Sequence, residues 1–253
     1  GRSRRRGRSG RRMTGQPMND VSDLRVMALF AHPDDPEFFA GGTLALWAEA
    51  GAELIYVLAT SGDKGSSDPE MTPERLVSLR EAEQVRAAAV IGCSDLTFLR
   101  YTDGELTPSL ELRRDLVRLI RLKQPQIVVT NDPTTFWYGD RAINHPDHRA
   151  IGEAALAAVF PTARDRLNYP EMEQEGLLPH KVKQVYLAGA SQPNVKVDIS
   201  QVLDRKISAL REHQSQIADM EAMAERQRSR LDPEAPADRP RVIESFTVIT
   251  LDR

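Results

Sequence analysis

Short apolar runs alternate with longer amphipathic stretches along most of this chain. The runs contain few polar residues, which is typical of strands that are buried on both faces of a sheet. We predict five such strands, at residues 25–30, 54–60, 96–100, 126–130 and 183–188, and a last, alternating strand at the sheet edge, at 242–251.

The stretches between these runs carry apolar residues at helical spacing, most clearly in the sequence Leu112, Leu116, Leu119 and Ile120. The predicted helices cover residues 41–50, 73–91, 108–123, 146–159 and 199–225. Strands that alternate with helices predict an α/β fold: a single Rossmann-like domain in which a mainly parallel sheet carries helices on both faces.

Charge is unevenly distributed along the chain. Residues 1–12 contain seven of the 34 basic residues and no acidic residue, whereas the rest of the chain has a net charge of −10. An Arg-rich tail attracts phosphate groups, but an acidic body offers no supporting basic surface, so we predict no nucleic-acid partner. Residues 1–23 lack apolar periodicity and are predicted to form a mobile tail, followed by one folded domain at 24–253.

The composition also argues against membrane and secreted classes. No apolar run is long enough to span a bilayer, and no apolar segment follows the basic start as it would in a secretory signal. The single cysteine, Cys93, cannot form an internal disulfide framework and fits a reducing compartment. We therefore expect a cytoplasmic protein without a membrane span, and the sequence leaves homo-oligomerisation open.

Candidate chemistry begins directly after the first predicted strand. His32, Asp34 and Asp35 lie in a segment with Pro33 and Pro36, each of which favours an extended backbone for the residue before it. We therefore interpret the segment as a stiff loop that holds an imidazole and two carboxylates close together. The alternative interpretation is that Asp34 and Asp35 only cap a helix and have no chemical role.

A second cluster contains His145, Asp147 and His148 around Pro146. Proline is tolerated at the first position of a helix, so we expect His145 to be the N-cap and His148 to project from the first turn. Ligands of open α/β sheets bind outside the carboxyl ends of the strands, and both clusters are predicted to lie at that edge. Two histidines and one carboxylate there favour a catalytic zinc site with an open coordination position.

The segments that carry these clusters resemble the zinc-dependent de-N-acetylases of the PIG-L/LmbE-like family, which remove acetyl groups from N-acetylglucosamine-type compounds. The resemblance extends in order from about residue 25 to about residue 220. It is strongest in the segments 31–45, 60–65, 80–83, 101–105 and 144–152.

The resemblance implies a role for each residue of the two clusters. It implies that His32, Asp35 and His148 bind Zn²⁺, that Asp34 is the general base, and that His145 and Asp147 assist at the carbonyl group. It further implies that Arg80 and Asp103 contact the sugar or its substituent. The expected partner is a small N-acetylated amino-sugar substrate, and the zinc deacetylase domain spans residues 24–253.

Some assignments stay open at this point. Glu37 follows Pro36 where many family members have Glu directly after the two aspartates, and we expect a structural role for it. His213 lies in a polar helical stretch and is predicted to be solvated, without a metal role. A non-haem Fe(II) oxygenase also uses two histidines and one carboxylate, and a non-catalytic α/β module that binds nucleotides or a partner is the other alternative.

Overall fold

The structure is a computed structural model that describes residues 21–251. Most of the predicted mobile tail of residues 1–23 lies outside the described residues. Val21 is buried in the core, and its carbonyl oxygen accepts a hydrogen bond from the Leu24 amide. The packed part of the chain therefore already includes residues ahead of the predicted domain start at residue 24.

A seven-stranded sheet forms the centre of the described fold, with strand order β3-β2-β1-β4-β7-β9-β8. The strands are β1 (Arg25–Phe30), β2 (Glu53–Thr60), β3 (Asp95–Tyr101), β4 (Ile127–Asn131), β5 (Trp137–Tyr138), β6 (Ala142–Ile143), β7 (Gln184–Ala188), β8 (Val195–Asp198) and β9 (Ile243–Thr250). The first five strands of that order are parallel, β9 is antiparallel to both of its neighbours, and β5 and β6 form a separate hairpin.

Helices cover both faces of the sheet. They are α1 (Asp35–Glu49), α2 (Pro73–Ile91), α3 (Leu110–Lys123), α4 (Pro146–Ala157), α5 (Pro170–Gln174), α6 (Leu203–Leu210) and α7 (Met220–Arg228). Alternate residues of β1 belong to two different hydrophobic clusters, one beneath α1 and α2 and one beneath α3 and α4. This arrangement confirms the predicted α/β fold and explains why β1 is apolar at nearly every position. No helix within residues 21–251 has the length and apolar character needed to cross a membrane.

The first helix begins earlier than predicted, at Asp35 instead of Gly41. Pro36 does not prevent this, because the amide of a residue in the first helical turn has no partner within the helix. Gly42 lies where the helix packs against Ile199, since an added Cβ there would meet the Ile199 side chain at 2.6 Å. The Gly42 and Thr43 amides also donate hydrogen bonds to Glu244 on β9.

The predicted long helix at 199–225 is wrong. The chain forms a 3₁₀ turn at Ser200–Val202, then α6, then an irregular segment, and finally α7. Asp219 starts α7 because its carboxylate accepts the Ala222 amide as an N-cap.

The predicted edge position of the last strand is also wrong. Strand β9 lies between β7 and β8, and the edge is formed by β8, which the sequence did not predict. Strand β8 has only four residues, so its alternation of apolar and polar residues is too short to stand out from a loop.

Candidate metal centre

The two predicted clusters meet at the carboxyl edge of the parallel strands. The His32 ring lies 4.6 Å from the His145 ring and 5.3 Å from the His148 ring, measured between centroids. Strand β1 delivers His32, and the first turn of α4 delivers His145 and His148. The N-cap position of His145 is confirmed.

Three donor groups converge on one point. Asp35 lies between the two histidines, with Oδ2 at 3.3 Å from His32 Nδ1 and Oδ1 at 3.1 Å from His148 Nε2. The ligand atoms of these three residues all lie within 4.8 Å of one another. A tetrahedral metal ion takes such a set of two imidazoles and one carboxylate and keeps its fourth position free.

The orientation of His148 is fixed from behind by the side chain of Asn144. His148 Nδ1 lies 3.1 Å from Asn144 Oδ1, which also accepts a hydrogen bond from the Tyr138 hydroxyl. Because Asn144 Oδ1 can only accept, His148 carries its proton on Nδ1 and turns the lone pair of Nε2 towards Asp35. This is the arrangement in which an imidazole binds a metal.

Two further carboxylates flank the other nitrogen of His32. Asp103 Oδ1 lies 3.1 Å and Asp147 Oδ2 lies 3.2 Å from His32 Nε2. Burial lowers the pKa of His32, but its hydrogen bonds to Asp103, Asp147 and Asp35 outweigh burial and raise this pKa to about 12. Three carboxylates around one imidazole therefore make a buried site that favours a positive charge, as a divalent cation site does.

Asp34 is held by its backbone at the entrance to α1. It adopts a φ of +90°, an uncommon value for a residue other than glycine, and its amide donates to Gln84 Oε1 at 2.8 Å. Burial and the neighbouring Asp35 raise the pKa of the Asp34 carboxyl group to about 6. Asp34, the residue predicted to be the base, therefore has a strained backbone. Such strain is commonly found at functional sites.

Arg80 lies behind this loop and is only 4% exposed. Its guanidinium group donates to the carbonyl oxygens of Pro33 and Gly62, at 2.8 and 3.2 Å, and to Asp34 Oδ2 at 3.2 Å. Gly62, with a φ of +68°, leaves the space that this side chain occupies, since a Cβ there would lie 2.1 Å from Arg80 Nη1. The contacts of Arg80 are thus with the protein, and its contact with substrate stays a prediction.

A buried polar chain continues behind Asp34 and was missed in part from the sequence. Gln84 Nε2 donates to both carboxylate oxygens of Glu37, and Glu37 Oε2 lies 3.2 Å from His213 Nε2. The predicted solvation of His213 is wrong, because its side chain is fully buried. The expected structural role of Glu37 agrees with these contacts, which join α1, α2 and the segment after α6.

His145 is the open member of the centre, with 41% of its side chain exposed. Its Nδ1 accepts the Asp147 backbone amide at 3.2 Å, so the proton of a neutral His145 lies on Nε2. Burial and the charge of His32 lower the pKa of His145 and outweigh the opposite effect of Asp147. The reason is distance: Asp147 Oδ1 is 4.0 Å from His145 Nδ1, while Asp147 Oδ2 is directed to His32.

A cavity of about 630 Å³ opens beside Asp35 and His148. Its walls include Phe39 of α1 and Tyr138 of the β5–β6 hairpin. Three successive aromatic residues, Phe136, Trp137 and Tyr138, lie in and next to this hairpin. Tyr138 is part of the wall, and Phe136 and Trp137 are largely exposed.

Known proteins resemble this chain both in sequence and in structure. Residues 27–159 match the family PIG-L, described as GlcNAc-PI de-N-acetylase. Diacetylchitobiose deacetylase of Thermococcus kodakarensis is 33% identical over 204 residues, which are 81% of this chain and 73% of that protein. A probable N-acetyl-alpha-D-glucosaminyl L-malate deacetylase of Bacillus anthracis is 30% identical over 203 residues, which are 78% of this chain and 83% of that protein.

A solved structure shows the same relationship. N,N'-diacetylchitobiose deacetylase from Pyrococcus horikoshii, in complex with an inhibitor, superposes with a TM-score of 0.79 at 28% identity. The match covers 92% of this chain and 86% of that protein. The likeness therefore includes the strands and helices that carry both histidine clusters, and by sequence and fold this chain belongs to the PIG-L family of metal-dependent deacetylases.

Proposed function

We propose that this deacetylase uses Zn²⁺ to remove the acetyl group from an N-acetylated amino sugar of the N-acetylglucosamine type. The named relatives act on such sugars, according to their descriptions. The observation that carries the proposal is the convergence of His32, Asp35 and His148 beside Asp34, at the mouth of a cavity.

The donor set fits zinc better than a hard cation such as Mg²⁺. His32 Nδ1, one Asp35 oxygen and His148 Nε2 would hold the ion, and two nitrogen ligands favour Zn²⁺ over a cation that prefers oxygen. When bound, zinc lowers the pKa of a water molecule and polarises the amide carbonyl group. Asp103 and Asp147 hold His32 from its Nε2 side and so fix the ring.

Asp34 takes the proton of the attacking water. A general base works best when its pKa is near the working pH, and burial with the neighbouring Asp35 brings the pKa of Asp34 to about 6. The hydrogen bonds from Arg80 and to Gln84 hold the carboxyl group and the backbone of this residue in place. Arg80 thus supports the base through direct contact.

His145 donates a hydrogen bond to the carbonyl oxygen or the leaving nitrogen. Its Nδ1 is occupied by the Asp147 amide, so its Nε2–H is the group available to the substrate on the exposed side. A neutral donor agrees with the lowered pKa of this imidazole. Donors directed at the developing charge of an acyl-transfer transition state contribute roughly 10²–10³ in kcat.

Acetate release tests this proposal. Purified protein is stripped with a chelator, reloaded with Zn²⁺, Fe²⁺ or Mg²⁺, and assayed on N-acetylglucosamine, N,N'-diacetylchitobiose and N-acetylglucosaminyl malate. We expect acetate in step with free amine, restored best by Zn²⁺. Metal analysis of anaerobically purified protein checks the oxygenase alternative, and an iron-loaded protein that consumes O₂ without acetate release would refute the proposal.

A further inference from the structure

The cavity beside the metal centre is larger than an acetyl group needs. At about 630 Å³ it is in the range of sites that enclose whole small-molecule ligands. It extends from Asp35 and His148 to strand β9 and to the segment that follows α7. The cavity therefore has room for the part of a substrate that lies beyond its acetamido group.

Most of the cavity wall is apolar. Phe38, Phe39, Tyr138, Leu231 and Ile243 line it together with Gly189. A Cβ on Gly189 would lie 2.9 Å from the Tyr138 hydroxyl oxygen and 3.1 Å from the Phe39 ring, so this glycine lets the two aromatic residues approach the backbone. Such a wall suits the carbon–hydrogen faces of a sugar ring.

The charged side chains of the wall differ in whether they have a partner within the protein. Glu244 is neutralised by Lys206, whose Nζ lies 2.6 Å from Glu244 Oε1 in the buried interior. Asp35 is committed to His32 and His148. Arg230 is exposed, lines the cavity, and has no side-chain hydrogen bond or ion pair to any residue between 21 and 251. Among the described residues, Arg230 is therefore a charged side chain of the wall that is left to pair with a ligand.

We infer that this cavity is a subsite for an anionic group attached to the amino sugar, and that Arg230 binds that group. A guanidinium group pairs with a carboxylate or phosphate through two parallel hydrogen bonds. The inference rests on the proposed function, because it names the class of sugar conjugate that the same centre hydrolyses. It makes Arg230 a specificity-determining residue.

Kinetics on matched anionic and neutral substrates test the subsite. N-acetylglucosaminyl malate carries carboxylates, N-acetylglucosamine 1-phosphate carries a phosphate, and N,N'-diacetylchitobiose is neutral. Arg230→Gln should lower kcat/KM for the preferred anionic substrate roughly 10–100-fold, mainly through KM, which is the usual value of a hydrogen bond to a charged group. Turnover of diacetylchitobiose should change less than about 2-fold.

Two variants serve as controls. Arg228→Gln removes an exposed arginine that is not part of the cavity wall and should leave all three substrates unaffected. Arg230→Lys keeps the charge and loses the planar fork, so it should restore part of the anionic preference. The carboxylate and phosphate arms show which anion the subsite takes.

Binding of the deacetylated products separates this inference from the proposed function. Titration calorimetry of glucosaminyl malate, glucosamine 1-phosphate and chitobiose needs no turnover. Binding of an anionic amine that depends on Arg230 supports the subsite even if no acetate is released. The absence of acetate release would refute only the proposed function. Equal affinity of wild type and Arg230→Gln for all three amines, or preference of the wild type for the neutral one, would overturn the inference.

Discussion

Two segments of this protein share the tripeptide His-Pro-Asp and enter a helix differently. In the first, α1 begins only at Asp35, so Asp34 precedes the helix with a φ of +90° and does not cap it through its side chain. In the second, α4 begins at Pro146, so Asp147 lies inside the first turn and His145 becomes the cap. The same three residues thus place one aspartate before a helix and the other within it.

The difference decides what each carboxylate can do. Asp147 is fully buried and accepts the Gly104 and Leu106 amides, and although burial raises its pKa, His32 and Gly104 outweigh burial and lower it. The pKa of Asp34 is raised to about 6 by burial and Asp35. A carboxylate with a lowered pKa is a fixed anion, whereas one with a raised pKa can exchange a proton. The backbone around the motif, and not the motif itself, separates the two roles.

The largest expected effect is loss of the metal, and it distinguishes the two histidines of the second segment. His148→Ala should remove zinc and nearly all activity, because it deletes one of the three converging side chains that we propose as ligands. His145→Ala should keep stoichiometric zinc while kcat falls roughly 10²–10³-fold, the usual value of one transition-state donor. Metal analysis of the dialysed variants checks both expectations. Zinc lost from His145→Ala and retained by His148→Ala would exchange the two assignments.

The next effect concerns the aspartate that precedes the helix. Asp34→Asn should lower kcat roughly 10²–10⁴-fold with zinc content unchanged, since a positioned base contributes that much. Its melting temperature should not fall, because a buried carboxylate with a raised pKa is replaced by a neutral amide of the same size. Differential scanning calorimetry and acetate release measure the two quantities. Activity close to wild type would mean that another group accepts the proton.

The aspartate within the helix should behave differently. Asp147→Asn should weaken zinc binding roughly 10–100-fold, the usual cost of losing a group that orients a metal ligand, because His32 Nε2 loses one of two carboxylate partners. Competition with a chelator of known affinity measures this change. Asp140→Asn, on the exposed hairpin, is the matched control. Unchanged zinc affinity in Asp147→Asn would show that Asp103 alone suffices to orient His32.

Local signals explain what the sequence predicted well. Strand β1 has the predicted bounds, and α2 begins at Pro73 behind the N-cap Thr72 and ends at Ile91 before Gly92, because apolar runs, caps and glycine stops act over a few residues. The two histidine clusters could be placed at one edge because parallel strands end there together. The family resemblance then assigned their members.

Long-range partners explain the rest. The residues next to His213 in the sequence are polar and predict that it is solvated. Its buried partner is Glu37, which is 176 positions away in the sequence. His213 lies in the irregular segment between α6 and α7, where a continuous helix was predicted. Arg80 likewise shows no local sign that it binds the carbonyl oxygens of Pro33 and Gly62.

The smallest expected effect is a pH dependence of stability that originates in His213. Burial lowers the pKa of His213, but Glu37, Asp34 and Glu83 outweigh burial and raise it above its value in the unfolded chain. A raised folded pKa contributes stability that is fully present below the unfolded pKa of about 6.5 and is lost as pH rises through the folded pKa.

His213→Gln can still donate to Glu37 Oε2 yet cannot titrate, so the free energy of unfolding of wild type minus that of the variant should be greatest near pH 6 and decrease towards pH 9. Urea unfolding at several pH values measures this difference, in which all other titrating groups largely cancel. A difference that stays constant over this range would mean that His213 keeps one protonation state throughout, and that Glu37 is balanced by the hydrogen bonds from Gln84 alone.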